Sequence, residues 1–307
     1  MSQVSYTHLI QYLLPLEQVI PQHYDLCIQI ADGYRQSYKY RKAIVYYKKA
    51  EKIRPLNGSD LKEFAWCFRK TDAFRKALSY YKKAEKFEPH SVWEIKQIAF
   101  CYRELQDWAK ALEYYLLASQ LEPNNTWYLD NAGFCYQRLQ RYDQALQFYQ
   151  RSREIDKRDA WNLRQTGFCH QKSQNYQKAL EFHLKSKDVD PHDVWNLGCI
   201  GWCFFVLGDL HQAHVYLKKC LSNGEDEYDL LNLGHIFLCQ GNIKKAKLYY
   251  QKSLLMFSTP AKFFRNFEED TPYLTNKYTI NVQFYAEIKK SLVKFWDQKS
   301  KFTTKID

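Results

Sequence analysis

The chain has 307 residues, 46% of them hydrophobic and 17% aromatic, with 45 Lys and Arg against 34 Asp and Glu for a formal charge of +11. That apolar share excludes a disordered chain, and the absence of any run of 18 apolar residues excludes a membrane-spanning helix. The basic excess favours acidic partners, protein or nucleic acid, and speaks to association rather than to fold.

In chain order, residues 1–23 read as an N-terminal cap: Leu9, Ile10, Leu13 and Leu14 form one short helix that Pro15 ends. The opening MSQVSYTHLIQYLLPLEQ lacks the basic start and cleavage site of a signal peptide, so the chain is expected to be cytoplasmic. From residue 24 a fixed period governs. A small residue falls at Ala43, Ala77, Ala111, Ala145, Ala179 and Ala213, each 34 after the last, and then at Ala246, 33 later. Within one period, Ile95, Ile98, Ala99 and Tyr102 keep helical spacing, Gln106-Asp107 interrupts, and Ala111, Leu112, Tyr115 and Ala118 resume before Pro123. Each unit is thus two helices and a turn, over 24–57, 58–91, 92–125, 126–159, 160–193, 194–226 and 227–259. Helix starts are marked by Ser91, Asn125 and Asp193, each shortly after a Pro, and Ser91 with Glu94 makes a capping box. The one-residue shortfall is placed in the loop Ser222-Asn223-Gly224. Residues 260–307 read as connector and C-terminal cap. An irregular stretch holds Phe263, Phe264, Phe267 and the acidic Glu268 to Asp270. A helix from about Ile280 then carries Phe284, Ile288, Leu292 and Phe295 over the last unit, and a frayed tail runs from Lys299 to Asp307.

Five of the nine cysteines, Cys67, Cys101, Cys135, Cys169 and Cys203, recur every 34 residues. Equivalent positions of stacked helices lie roughly 8 to 10 Å apart, beyond the roughly 7 Å between Cα atoms that a disulfide tolerates. They are expected to be free thiols packed as small hydrophobes.

This grammar resembles the tetratricopeptide repeat. The small/aromatic pairs that carry the likeness are Ala31/Tyr34, Ala65/Phe68, Ala99/Tyr102, Gly133/Tyr136, Gly167/His170, Gly201/Phe204 and Gly234/Phe237. The resemblance implies an all-α fold, a right-handed superhelix or α-solenoid of about seven helix-turn-helix repeats with capping helices. One departure is that the family's Trp in the first helix is replaced by Cys27, Leu61, Ile95, Leu129, Leu163, Leu197 and Leu230, while a Trp often sits two residues earlier. From the second unit onwards the chain is also similar to a group of bacterial tetratricopeptide proteins carrying pairs such as Trp66-Cys67 and Trp202-Cys203 and a late Phe-x-x-Phe-Glu-Glu-Asp like Phe264 to Asp270. No activity follows from that likeness.

In the family, the face of the first helix opposite the core lines a concave groove. Here that face carries two aromatic ladders, Trp93, Trp127, Trp161 and Trp195 in one and Trp66, Phe100, Phe134, Phe168 and Trp202 in the other, with His235 continuing the second. Lys62, Lys96, Arg69, Arg103 and Arg164 lie among them, and the last two units offer Gly198, Phe205, Val206, Leu231 and Leu238 as an apolar end. These fourteen rings and cations are the expected partner-binding residues. The alternative is that the rings stack between successive helices and stiffen the array. The family's carboxylate clamp is not matched, because Asn never stands at its ladder position.

No paired carboxylates, Ser/His/Asp set or Gly-rich phosphate loop is present, so neither catalysis nor a cofactor is expected. Cys199, Cys203, His211 and His214 have spacing that a metal could use, weakly, since Cys203 belongs to the periodic set. His170 and His183 replace core aromatics and are expected to be satisfied core histidines. The reading is a non-catalytic scaffold that binds a peptide or helical segment, acidic with apolar anchors, in an aromatic, basic groove, without a membrane. Single-stranded nucleic acid on the same face, or a regulatory role in an enzyme complex, are the alternatives.

Overall fold

The computed structural model describes residues 3–89 and 91–303. Among them all regular structure is helical: seventeen α-helices and one π-helical turn. The chain forms two compact units, Met1–Ile155 and Asp156–Asp307.

The first unit holds α1 (Gln3–Val19), α2 (Tyr24–Gln36), α3 (Tyr40–Ile53), α4 (Gly58–Lys70), α5 (Phe74–Ala84), α6 (Val92–Glu104), α7 (Trp108–Leu121), α8 (Thr126–Arg138) and α9 (Tyr142–Ile155). The second holds α10 (Ala160–Lys172), α11 (Tyr176–Val189), α12 (Val194–Leu207), α13 (Leu210–Leu221), α14 (Glu227–Cys239), α15 (Ile243–Met256), α16 (Pro260–Glu269), the π turn Tyr273–Lys277 and α17 (Val282–Thr303). Within each unit successive helices pack pairwise, as a solenoid of helical hairpins requires.

Size complementarity closes each hairpin. The periodic alanines are all completely buried, and the second helices insert Tyr47, Tyr81, Tyr115, Tyr149 and Tyr250 with no exposure. Opposite them the first helices must be small: a Cβ on Gly133 would stand 2.8 Å from the Tyr149 ring and one on Gly234 2.3 Å from Tyr250. The hairpin turns share one backbone device, a left-handed residue just past the first helix. It falls at Tyr38, Asp72, Gln106, Gln140 and Gln174 with φ of 58 to 60°, then at Gly208 and Gly241. Ser91 and Glu94 form the capping box, with Ser91 N donating to Glu94 Oε2 at 2.8 Å. All nine cysteines are free, and burial pushes the thiols of the periodic five up to about 12.

Three expectations are corrected at the ends. Pro15 does not stop α1, which continues to Val19. Tertiary contacts outweigh the lost N–H: Ile10 packs against Gly33, and beyond the proline Glu17 accepts from Tyr46 Oη at 3.2 Å and pairs with Lys49. The stretch after Thr259 is helical rather than irregular, because Pro260 occupies the first turn, where its missing N–H costs nothing, and Thr259 caps Lys262 N. Phe263 and Phe267, one turn apart, are its buried face. The last helix buries Tyr285, Ile288 and Leu292 and reaches Thr303, so residues 299–303 are helical where a frayed tail was expected; residues 304–307 lie outside the described residues.

Candidate interaction surfaces

In the first unit α4 contacts α6, which sets the outward stripes of the first helices side by side. Trp66 and Trp93 meet across that junction with ring centroids 5.1 Å apart. Trp93 keeps 43% exposure while Trp66, Phe100, Trp127 and Phe134 are half-buried. Cations cover their faces. The Arg69 guanidinium lies over both Trp66 and Phe100, at 4.2 and 4.8 Å; Arg103 lies 4.7 Å over Phe100, Lys70 4.9 Å over Trp66 and Lys96 4.4 Å over Trp127. Phe134 packs edge-on against Trp108, 5.8 Å away, and Trp127 against Tyr115. The rings therefore stack between helices and also remain open to solvent, so the two readings of the ladder are not exclusive.

The expected steering charges divide. Lys62 is committed to Glu88 and Glu94 at 2.6 and 2.9 Å, and Arg103 to Glu104 and Asn131. Arg164, in the second unit, pairs with Asp193, the N-cap of α12, and leans over Trp195. A cation neutralised by its own carboxylate steers weakly. Arg69 and Lys96 have no carboxylate partner among the described residues, and Arg69 Nε is buried without an acceptor.

In the second unit Phe168 and Trp195 repeat the ladder contact at 5.8 Å; Trp195 is 46% exposed and Trp161 half-buried. Here the apolar end foreseen from sequence is covered by the C-terminal segment. Phe205, Val206, Leu231 and Leu238 are buried, Tyr278 stacks on Phe205 at 5.1 Å, and Trp202 packs against Tyr273 at 5.5 Å. Trp202 is thus largely a seat for this segment rather than a free anchor. His235, expected on the open stripe, is completely buried between Tyr250 Oη at 2.8 Å and Asp270 Oδ2 at 3.2 Å.

What the folded-back segment leaves is a cavity of about 610 Å³ among α10, α12, α14 and α16. Gln171, Lys172, Trp195, Gly198, Cys199, Trp202, Tyr228 and four carboxylates, Asp226, Asp229, Glu269 and Asp270, line it. Asp229 is 8% exposed, and burial, with Asp226 adding repulsion, raises its carboxyl from 3.8 to about 7. Burial also pushes the Cys199 thiol well above its usual range. This acidic site went unforeseen. Both acidic runs, Glu225 to Glu227 and Glu268 to Asp270, stand out in the sequence, but only the return of α16 brings them together.

The four-residue metal candidate is not assembled. Among the described residues no three His, Cys, Asp or Glu side chains converge on a cation-sized space. Cys203 is buried in the core, His211 is exposed, and His214 stacks edge-on with Phe237 at 5.4 Å. His183 is a core residue only half satisfied: Nδ1 meets Asn196 Oδ1 at 2.8 Å while Nε2 has no partner. His170 is half-buried and stacks on Phe182 at 5.5 Å. No described helix is long and apolar enough to cross a membrane.

Two tetratricopeptide repeat models match, one over residues 91–158 and 124–192 and another over residues 230–258. No curated protein matches the sequence. Among solved structures, the chain resembles a tetratricopeptide repeat protein from Parabacteroides merdae, at 18% identity over 88% of this chain and 98% of that one with a TM-score of 0.60. It also resembles YrrB, described as having an unusual peptide-binding site, at 19% identity over 60% and 95% with a TM-score of 0.53. PilW, a type IV pilus biogenesis factor, gives 21% identity over 65% and 93% with a TM-score of 0.56. At such identities the likeness is one of fold.

Proposed function

We propose that this chain, which matches tetratricopeptide repeat models over residues 91–192 and 230–258, is a non-catalytic scaffold for protein–protein interaction, which holds an extended or helical, acidic segment of a partner on the first-helix stripe of its first unit. The observation that carries this reading is Arg69. Its guanidinium is oriented by two rings, lacks a carboxylate, and keeps a buried N–H without an acceptor. A cation held that way loses little side-chain entropy when a carboxylate arrives. Trp66, Trp93, Phe100 and Trp127 beside it supply apolar anchors of the kind that dominate binding energy. The unusual peptide-binding site of YrrB is consistent with such a use of this fold.

The test is affinity capture from the source cell with wild type and with Trp66→Ala/Phe100→Ala/Trp127→Ala. Specific partners should be lost from the triple variant while its helical content stays intact. Equal retention of every captured protein would remove the stripe from consideration. Binding of polyuridylate that weakens steeply with added salt would instead favour nucleic acid.

A further inference from the structure

The cavity of the second unit differs in sign from the stripe of the first. Four carboxylates line it against one ammonium, and that one, Lys172, is held 5.4 Å over the Phe168 ring. Two of the carboxylates have partners: Asp226 caps α14 through the N–H groups of Tyr228 and Asp229, and Asp270 bonds His235. Asp229 is different. It is more than nine-tenths buried, has no Lys, Arg or His partner among the described residues, and has beside it only the Cys220 thiol, which lies within 3.6 Å of the Val194 carbonyl oxygen as well. Its Oδ1 lies 2.9 Å from where a Cβ on Gly198 would stand, so the glycine is what lets the carboxylate sit on this wall. On the same lining, Gln171 carries a buried Oε1 with no hydrogen-bond partner. Gln171 Oε1 is an unsatisfied acceptor and the Asp229 carboxylate has no strong donor, so the group that would complete the site is a donor.

A buried carboxylate without a cation is costly, and a structure keeps one where something else completes it. The rim says what. Trp195 and Tyr228 are 46% and 39% exposed, and Trp202 backs them, so the mouth is aromatic while the floor is anionic. Ring faces and carboxylates together select an organic cation, which rings attract through their quadrupole and carboxylates through charge and hydrogen bonds. A cavity of about 610 Å³ has room for a long side chain together with the backbone that carries it.

We infer that this cavity is a binding site for a lysine or arginine side chain of a partner protein, with Asp229 as its counter-ion and Trp195 and Tyr228 as its rim. The inference rests on the scaffold reading but not on the stripe of the first unit. Around Asp229 the charged and titratable groups are Asp226 on α14, Cys220 on α13, Cys199 on α12, Lys172 on α10, and Glu269 and Asp270 on α16. With its carboxyl raised to about 7, Asp229 is part-protonated at neutral pH. An arriving cation favours the carboxylate, and the proton leaves to solvent.

The experiment uses the full chain with its tryptophan indoles labelled with nitrogen-15, titrated with acetyl-Gly-Lys-Gly-amide, acetyl-Gly-Arg-Gly-amide and acetyl-Gly-Glu-Gly-amide. The Trp195 and Trp202 resonances are assigned by Trp→Phe substitution. The Lys and Arg peptides should move these two signals and the Glu peptide should not. Asp229→Asn, which keeps the shape, should raise the dissociation constant at least about tenfold, and Glu269→Gln, on an exposed residue, should raise it less. Calorimetry at pH 7 in buffers of different ionisation enthalpy should show proton release by wild type and none by Asp229→Asn. n-Butylamine should bind more weakly than the Lys peptide; equal binding would move the assignment to a free amine and overturn the side-chain claim. Unmoved Trp195 and Trp202 signals, or basic peptides bound equally by Asp229→Asn, would overturn the site. Shifts confined to Trp66 and Trp93 would do the same while leaving the stripe reading in place.

Discussion

The imidazole of His183 lies against the backbone of Gly167, with three of its ring atoms 2.8 Å from where a Cβ on that glycine would be. The second helix α11 therefore approaches α10 as closely as it does because position 167 has no side chain. Gly167→Ala should destabilise the second unit by about 1 to 3 kcal/mol, the usual cost of overpacking. His183→Ala in the same chain should recover part of that loss, since the two residues are in contact. Urea unfolding of the two single variants and the double variant checks it; strictly additive effects would show that the contact is not the cause.

The same histidine sets a pH dependence. Burial lowers its pKa from 6.5 to about 4, so its contribution to stability is complete above the unfolded value and is lost as pH falls through the window from about 6.5 to about 4. The loss is about 3 kcal/mol. Asp229 runs the other way: raised from 3.8 to about 7, it favours the folded state below about pH 4 and loses that contribution, about 4 kcal/mol, as pH rises to about 7. In wild type the two slopes nearly cancel. Asp229→Asn should uncover the histidine, giving a second unit whose stability climbs by about 3 kcal/mol between pH 4 and 7. Amide hydrogen exchange in α11 reports it, and a flat profile in the variant would contradict the assignment.

Tyr115 and Tyr149 occupy equivalent places in neighbouring repeats but differ at the hydroxyl. Tyr149 Oη donates to Gln137 Oε1 at 3.0 Å, whereas Tyr115 Oη is buried with no partner. Tyr115→Phe should be neutral or stabilising by up to about 1 kcal/mol, and Tyr149→Phe should cost about 1 kcal/mol, because it deletes a buried hydrogen bond. Thermal denaturation of the pair should move the midpoints in opposite directions.

The left-handed turn residue offers a backbone test. Gln140 adopts φ of 60° without being glycine, while Gly241 adopts 75° with open space where a Cβ would go. Gln140→Gly should stabilise by roughly 0.5 kcal/mol after the entropy cost of glycine, and Gly241→Ala should destabilise by about 1 kcal/mol. Chemical denaturation midpoints at constant slope would register both. No change in either variant would mean that the turns carry no conformational strain.

The sequence by itself determined the hairpins. A small residue every 34 places, an aromatic at a fixed offset and a break between them leave little freedom, because each helix pair has to bury that face against its neighbour, and the contacts involved are local. The positions of Trp66, Trp93, Phe100 and Trp195 on the outward stripe were legible for the same reason, since helical phase alone sets which side a residue takes. Tertiary structure alone decided which cations were free and where the acidic site lay. Lys62 and Arg164 look like Arg69 and Lys96 in sequence, and only packing shows that carboxylates 26 to 32 residues downstream claim the first two. Asp226 and Asp270 are separated by three helices, and they share one cavity because α16 and Tyr278 fold back onto Phe205 and His235. Such long-range apolar contacts leave no period in the chain, so the return of the C-terminal segment, and with it the sign of the second site, is a property of the folded molecule.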